Sequence, residues 1–365
     1  KWDPLTYGRD YDFSRPFFEQ FNEICQQVPL PALWGFNNEH CDFANYIGYS
    51  KNCYLSFSIL SSEEIYYSEG IDRSKHCFDS DIVQDSEFSY RNTNSTRNYH
   101  SIYLDESRES VDSAFLYDCS NCQNCFMSHG LRNRHYVFRN EQYSKEEYAD
   151  KIAREMDGSY AKFKRLMAEF ETLKQRSVHK FARIVKSENC IGDSISESRN
   201  AKNSFRIQEG ENIKYCWRLV KYKDAHDVSG AITSEMIYEA VVAASRNYLG
   251  RFFLQLKESN DFQYSMYGSS NSDIFGCAGI QNKQYCILNK QYTKEEYEAL
   301  VPKIIEHMTD MPYMDAKGRT YAYGEFFPPE LSPFAYNETI AQEYFPLTKE
   351  EAREKGYRWR DPDTK

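Results

Sequence analysis

The chain of 365 residues lacks several features that would assign a function directly. No apolar run reaches the roughly 18 residues of a membrane-spanning helix, which argues against contact with a membrane. The motifs GxSxG, HExxH, GxxxxGK and GxGxxG are absent, so these signatures of hydrolases, metalloproteases and nucleotide-binding proteins are excluded. Basic charge is also scarce, because 45 Lys and Arg face 55 Asp and Glu and leave a formal charge of −10. Any contact with nucleic acid therefore needs a local basic patch.

Proline is absent from residues 33 to 301, and most of this stretch has no helical periodicity. Short polar residues, often Asn, Ser or Cys, instead precede one or two aromatic residues. Each unit alternates like a short strand, which predicts a β-solenoid with two units, about 23 residues, in each coil. A β-rich globule with accidental spacing is the alternative. The anchoring rings recur at short, nearly regular intervals: Phe43, Tyr54, Tyr66, Phe78, Phe88, Tyr103, Phe115, Phe126 and Tyr136.

The repeat ends at a helix start and then begins again. Ser144 with Glu147, and Thr293 with Glu296, have the spacing of capping boxes. Residues 130–148 match residues 279–297 at ten of nineteen positions with a constant offset of 149, which indicates internal duplication. In the second copy, the apolar residues around Met236 fit an inserted helix as well as a strand.

The predicted fold class is therefore mainly β with helices (α+β), with two β-solenoid blocks that are each followed by a capping or bridging helix. The predicted segments are an N-terminal helical cap (1–36), a first solenoid block (37–143), bridging helices (144–186), a second solenoid block (187–292), and a C-terminal helical and irregular cap (293–365).

The terminal segments "KWDPLTYGRDYDFSRPFFEQF" and "GEFFPPELSPFAYNETIAQEYFPLTKEEAREKGYRWRDPD", with "NCYLSF"-type repeats and "QYSKEEY" between them, resemble a family of proteins from small-genome candidate-phylum bacteria. Its members have an aromatic and Asn-Cys repeat core, usually flanked by zinc-ribbon-like segments. The resemblance implies that this chain is such a core, with zinc held in flanking segments outside it. It transfers no activity and no metal ligand. Family repeats usually contain more cysteine than these, which argues against a cysteine-dependent function here.

Cys119, Cys122 and Cys125 form a CxxCxxC pattern, which is typical of part of a zinc site. Small side chains also suit solenoid corners, where they can stack along the axis and satisfy turn backbone. We predict corner residues and no bound cofactor in this chain, with zinc, a disulfide or a redox thiol as alternatives. The odd total of 11 cysteines favours reduced thiols in a cytoplasm. The offset of 149 places residues without a thiol at the same points of the second block: Gly268, Asn271 and Ile274.

Two further groups of charges are candidates for function. Asp79, Asp81, Asp85 and Glu87 would share a face if strand residues alternate, as the paired carboxylates of a carbohydrate-cleaving β-helix do. Residues 159–186 carry a local charge of +6, which favours a phosphate backbone; a solvated helix that meets the acidic solenoid is the alternative. The predicted nucleic-acid contacts are Lys162, Lys164, Arg165, Lys174, Arg176, Lys180, Arg183 and Lys186, with Trp217 and Arg218 from an aromatic strand.

Together these patterns favour a non-catalytic repeat scaffold that binds a macromolecule, with RNA or the ribosome as the leading partner. A self-assembling structural protein and a carbohydrate-active β-helix enzyme are the two alternatives. The preference for RNA or the ribosome rests on the basic segment 159–186 and on the zinc-ribbon-like flanking segments that the family resemblance implies.

Overall fold

The structure is a computed structural model that describes residues 2–208, 217–223, 228–243 and 246–361. The chain divides into two compact units, one formed by Lys1–Leu30 with Lys180–Lys365 and the other by Pro31–His179. The described residues are mainly β structure with six α-helices. None of the helices in these ranges combines the length and the apolar character needed to span a bilayer.

Three of the six described α-helices begin at capping boxes. The capping boxes of Ser144 with Glu147 and of Thr293 with Glu296 are confirmed, and Thr348 with Glu351 forms a third. Short 3-10 helices span Pro4–Tyr7, Pro329–Leu331 and Tyr336–Glu338. The α-helices are α1 (Phe17–Gln27), α2 (Lys145–Glu155), α3 (Tyr160–Arg176), α4 (Lys294–Asp310), α5 (Ala341–Tyr344) and α6 (Lys349–Glu354).

The unit Pro31–His179 contains one sheet of 16 strands followed by α2 and α3. Its strands are β1 (Gly35–Phe36), β2 (Glu39–Asp42), β3 (Asn45–Gly48), β4 (Lys51–Tyr54), β5 (Phe57–Leu60), β6 (Glu63–Tyr66), β7 (Glu69–Asp72), β8 (Lys75–Phe78), β9 (Asp81–Gln84), β10 (Glu87–Tyr90), β11 (Thr93–Thr96), β12 (Tyr99–Asp105), β13 (Ala114–Tyr117), β14 (Ser120–His129), β15 (Arg132–Phe138) and β16 (Glu141–Gln142).

From β1 to β10, each strand pairs in parallel with the next strand but one along the chain, so that Tyr54 pairs with Tyr66, and Tyr66 with Phe78. The order β1-β3-β5-β7-β9-β11-β12-β10-β8-β6-β4-β2 is a path of 12 strands that curls back on itself. We use the word rung for one turn of the chain, which runs from a residue to its partner on the next parallel strand of the same side, as from Tyr54 to Tyr66. A rung contains two strands and is only about half as long as the predicted coil. The predicted length of about 23 residues for one coil is therefore wrong. Seven of the nine repeating rings lie on one side of the rungs, and Phe88 and Tyr136 lie on other columns.

Every third residue from Asn37 to Arg139 has a positive φ. This left-handed conformation costs roughly 1–2 kcal/mol for a residue other than glycine, so interior packing and hydrogen bonds must offset it. Because the chain turns at these residues, every third side chain faces the interior instead of every second one. The two-residue alternation predicted from the sequence is therefore wrong. Serine and aliphatic residues alternate along this buried line, as in Ile59, Ser62, Ile65, Ser68 and Ile71.

The interior serines form hydrogen-bond ladders along the unit. The Ser62 hydroxyl donates to the carbonyl of Leu60 (2.7 Å) and accepts from the N–H of Ser74 (3.1 Å). The Ser80 hydroxyl likewise donates to Phe78 and accepts from Asn92. Thus the prediction that small polar side chains stack along the axis and satisfy turn backbone is confirmed. These ladders hold the buried backbone of successive rungs together.

The other unit contains a sheet of ten strands, parallel except for its last pair, and a separate antiparallel pair. The apolar segment around Met236 is a strand and not a helix. The ten strands are β17 (Ile184–Val185), β18 (Ile191–Ser196), β19 (Lys202–Gln208), β20 (Trp217–Lys223), β21 (Ser229–Ala243), β22 (Tyr248–Lys257), β23 (Asn260–Ser269), β24 (Ser272–Phe275), β25 (Gln284–Ile287) and β26 (Lys290–Gln291), and the separate pair is β27 (Tyr313–Met314) with β28 (Thr320–Tyr321).

Candidate binding surface

One outer side of the rungs of Pro31–His179 carries a continuous line of apolar, mostly aromatic, side chains. Strand register stacks one residue per rung in an unbroken column: Tyr54, Tyr66, Phe78, Tyr90, Ile102, Ala114, Phe126 and Phe138. The next residue along the chain widens this column on several rungs: Phe43, Leu55, Tyr67, Tyr103, Phe115 and Met127. We call these two columns together the aromatic ridge.

The ridge is covered over the rungs from Ile102 to Phe138, which we call its covered half. Phe163 of α3 lies 5.5 Å from Tyr103 between ring centroids, and Phe170 lies 5.7 Å from Phe115. Phe115 and Phe126 are fully buried as a result. This contact is a hydrophobic core built between a helix and the outside of the rungs, in addition to the narrow core inside them.

Ion pairs hold α3 in this position. Arg139 donates two hydrogen bonds to Glu169 of α3, at 2.7 and 2.8 Å, and Lys174 lies 3.4 Å from Asp105. The hydrogen bond from Arg139 lowers the pKa of Glu169 below its ordinary value, although burial opposes the shift. The covered half is thus closed by apolar packing and by charge-assisted bonds at its border.

The ridge is exposed over the rungs from Phe43 to Phe78, which we call its bare half. Phe43 is 67% exposed and Tyr67 is 57% exposed. The rings touch one another rather than a covering helix: Phe43 meets Tyr54 edge-on at 5.7 Å, and Tyr66 stacks on Phe78 at 5.0 Å between centroids. Exposed aromatic side chains that form one contiguous patch are characteristic of binding surfaces.

The two halves also differ in charge. Residues 39–90, which build the bare rungs, contain ten Asp or Glu against three Lys or Arg, a net charge of −7. Residues 91–139, which build the covered rungs, contain five acidic and six basic side chains, a net charge of +1. The bare half is therefore an aromatic surface on a strongly acidic support.

Cys119, Cys122 and Cys125 occupy three successive interior positions of one rung and are fully buried. Each thiol donates to the carbonyl two residues before it, at 3.3 to 3.5 Å, as the interior serines do. The neighbouring Cys122 thiol and burial raise the pKa values of Cys119 and Cys125 above the ordinary range for a thiol. Among the described residues, no three or more His, Cys, Asp or Glu side chains are arranged to hold a metal ion.

The four grouped carboxylates do not share a face. Asp81 lies on β9 and Glu87 on β10, which belong to different halves of the strand path. Asp79 and Asp85 lie at turns half a rung apart, where each forms an ion pair with an arginine. The expectation of a shared face is wrong because the interior repeats every three residues. The four carboxylates therefore do not form the cluster that the sequence suggested for a carbohydrate-cleaving site.

At least five of the eight cations predicted between residues 159 and 186 have carboxylate partners. Lys162 bonds to Asp157 at 2.7 Å, Arg165 pairs with Glu155, and Lys174 pairs with Glu171 at 2.9 Å. Arg183 and Lys186 pair with Asp193 and Glu197 at 2.6 and 3.0 Å. Lys164 and Arg176 of α3 are exposed. Lys162 through Arg176 belong to Pro31–His179, whereas Lys180, Arg183 and Lys186 belong to the other unit.

Trp217 and Arg218 lie on β20, but their side chains are outside the described residues. Their predicted role therefore stays a prediction. No protein-family model matches this chain, and no curated protein matches it in sequence. The resemblance to the candidate-phylum family likewise stays a prediction.

Sequence reasoning located the rings but missed the surface that they form. A visible signal was the equal spacing of the triplet Tyr54, Tyr66 and Phe78, which gives the true length of a rung. The serines that recur every sixth residue from Ser50 to Ser86 are a second signal. The spacing of the rings did not indicate which part of the ridge α3 covers.

Proposed function

We propose that the protein is a non-catalytic scaffold, built as two β-solenoid blocks that are each closed by helices, and that it binds a macromolecular partner on the bare half of its aromatic ridge. The observation that carries the proposal is the exposure of Phe43 and Tyr67 on a ridge whose continuation is a buried helix-packing surface. A continuous row of exposed rings supports binding better than chemistry.

The duplication is supported by the helices that follow each sheet. The antiparallel pair of β15 with β16 precedes α2, and the pair of β25 with β26 precedes α4. Both helices start from the same kind of capping box, at Ser144 and at Thr293. These two residues are separated by the same offset of 149 that relates the two matching segments. An aromatic surface under helical cover also recurs, because Phe17 and Phe18 of α1 pack against Tyr264.

Photo-crosslinking tests the proposed binding surface. The intact chain with p-benzoylphenylalanine in place of Tyr67 is irradiated in a lysate of its source cells, and the adducts are treated with nuclease or protease. We expect a macromolecular adduct from position 67. The matched control carries the same group in place of Tyr99, which is also exposed but lies off the ridge. Equal adducts from both positions, or none from position 67, would contradict the proposal.

RNA binding through α3 is a second candidate. The Lys164 ammonium lies 5.2 Å from the ring centroid of Tyr160, and both side chains are exposed. A cation beside an exposed ring suits single-stranded nucleic acid, which combines phosphate charge with stacking bases. The pairing of most other cations on α3 leaves a small footprint, so we propose weak binding at most.

A fluorescein-labelled oligouridine tests this second candidate on the intact protein. Binding is expected to weaken when salt rises from about 50 to about 200 mM, and to weaken further in Lys164→Glu. Lys145→Glu, at an exposed residue of α2, is the control for net charge. Binding that does not respond to salt, or that falls equally in both variants, would remove α3 as an RNA contact.

A further inference from the structure

The bare half of the ridge has the same register and the same residue types as the covered half, yet it is open to solvent. The column passes from Tyr90 to Ile102 without a break in pairing. Tyr90 itself packs at the edge of the core that α3 forms with the ridge. The bare half therefore continues an existing helix-binding surface of this molecule.

The helix already seated on the ridge shows what chemistry fits it. α3 presents Phe163, Leu166 and Phe170 to the rings of the covered half. Residues 159–177, which include this helix and its caps, contain five Lys or Arg against two Glu. The occupant of the covered half is thus a basic amphipathic helix on rungs of net charge +1.

We infer that the bare half of the aromatic ridge binds a basic amphipathic helix of a partner protein. This inference rests on the proposed function and specifies the class of the partner. A cationic helix complements the bare rungs, of net charge −7, better than it complements the covered rungs. The same charge repels a phosphate backbone and disfavours RNA on the ridge.

The dimensions agree with one helix. Parallel strands lie about 4.8 Å apart, so the three rungs from Asp42, in register with Tyr54, to Phe78 span roughly 14 Å along the ridge. A helix with its side chains is about 10 to 12 Å in diameter, so the bare half has room for one helix. The aromatic side chains supply the apolar contact, and the exposed carboxylate of Asp42 lies in register with Tyr54 at the end of the column.

A peptide of residues 159–177 is a probe for this site because its sequence already packs on the ridge. It is capped at both ends, labelled with fluorescein and titrated with the intact protein. We expect saturable binding that weakens at least about tenfold in the double variant Tyr67→Ser/Phe78→Ser and weakens as salt rises. The matched control, Phe88→Ser/Tyr99→Ser, removes two exposed rings from other columns and is expected to stay within about twofold.

Several results would overturn the inference. The first is that the peptide does not bind, and the second is that both double variants lose the same affinity for it. The third is that the peptide binds without Tyr67 and Phe78, because it would then take the place of α3 on the covered half. Sedimentation and labelled oligouridine test a second copy and RNA: a dimer or an RNA complex that Tyr67→Ser/Phe78→Ser abolishes would assign the surface to that partner. A crosslink from position 67 together with a failed titration rejects only the helix, whereas failure of both rejects the proposed function as well.

Discussion

The covered and bare halves of the aromatic ridge are built on the same strand register but stabilised differently. In the covered half, rings such as Phe115 are buried because they contact both their neighbours in the column and α3. In the bare half, the ring centroid of Tyr67 lies 5.9 Å from that of Tyr54, and the side chain of Tyr67 is exposed. The lesson is that an outward aromatic column does not by itself define a core. The element packed on it decides whether its residues stabilise the fold or remain available for binding.

The interiors differ as well. Beneath the bare half the interior alternates between serine and aliphatic residues, so hydrogen bonds and narrow packing share the stabilisation. Beneath the covered half it includes Leu104 and Leu116, together with three consecutive interior cysteines. Both halves therefore depend on hydrogen-bond ladders inside the rungs, because Ser107 and Ser113 accept from the N–H groups of Cys119 and Cys125 in the covered half. The covered half adds the apolar contact with α3 outside the rungs.

The largest effect is expected for Phe115→Ala. Removing a fully buried ring leaves a cavity between α3 and the ridge, and we expect a loss of about 3–5 kcal/mol in the free energy of unfolding. Tyr67→Ala, the matched change in the bare half, should stay within about 0.5 kcal/mol. Urea unfolding of the intact chain, followed by circular dichroism, measures both. Similar losses for the two variants would break the distinction between the halves.

The serine ladder should produce the next largest effect. Ser80→Ala removes the acceptor of the Asn92 N–H, which lies 3.2 Å from the hydroxyl, and leaves this backbone group buried without its partner. We expect a loss of about 1–3 kcal/mol in unfolding free energy. Ser61→Ala, at an exposed residue of the same rungs, serves as the control. A neutral Ser80→Ala would show that the bare rungs do not need their ladders.

A smaller effect is expected for Cys125→Ser in the covered rungs. The serine hydroxyl can donate to the carbonyl of Gln123 as the thiol does, so the free energy of unfolding should fall by only about 1 kcal/mol. Cys119→Ser and Cys122→Ser should behave alike. A loss of several kcal/mol, accompanied by stoichiometric zinc that the variant no longer holds, would instead make these thiols metal ligands.

The smallest effect concerns the border of the covered half. The pKa of Glu169 is lowered by Arg139, so this pair stabilises the fold above the ordinary Glu pKa, and the contribution disappears as pH falls through the lowered value. Because both side chains are about one-third exposed, we expect Glu169→Gln to lose only about 0.5 kcal/mol at pH 7. The difference from the wild type should shrink as pH falls through the lowered pKa of Glu169 and vanish below it. A difference that persists in acid would contradict this origin.

The sequence alone predicted the β-rich repeat, the recurring rings, the stacking of small polar side chains and the capping boxes at Ser144 and Thr293. These features depend on local chemistry, because a capping box or a recurring aromatic is visible within a short segment. Only the tertiary structure decided the rest. The length of a rung, the interior period of three and the separation of Asp81 from Glu87 follow from left-handed residues that local propensity does not favour. The coverage of Phe115 and the exposure of Tyr67 follow from where α3 packs, since equivalent columns differ only in their distant contacts.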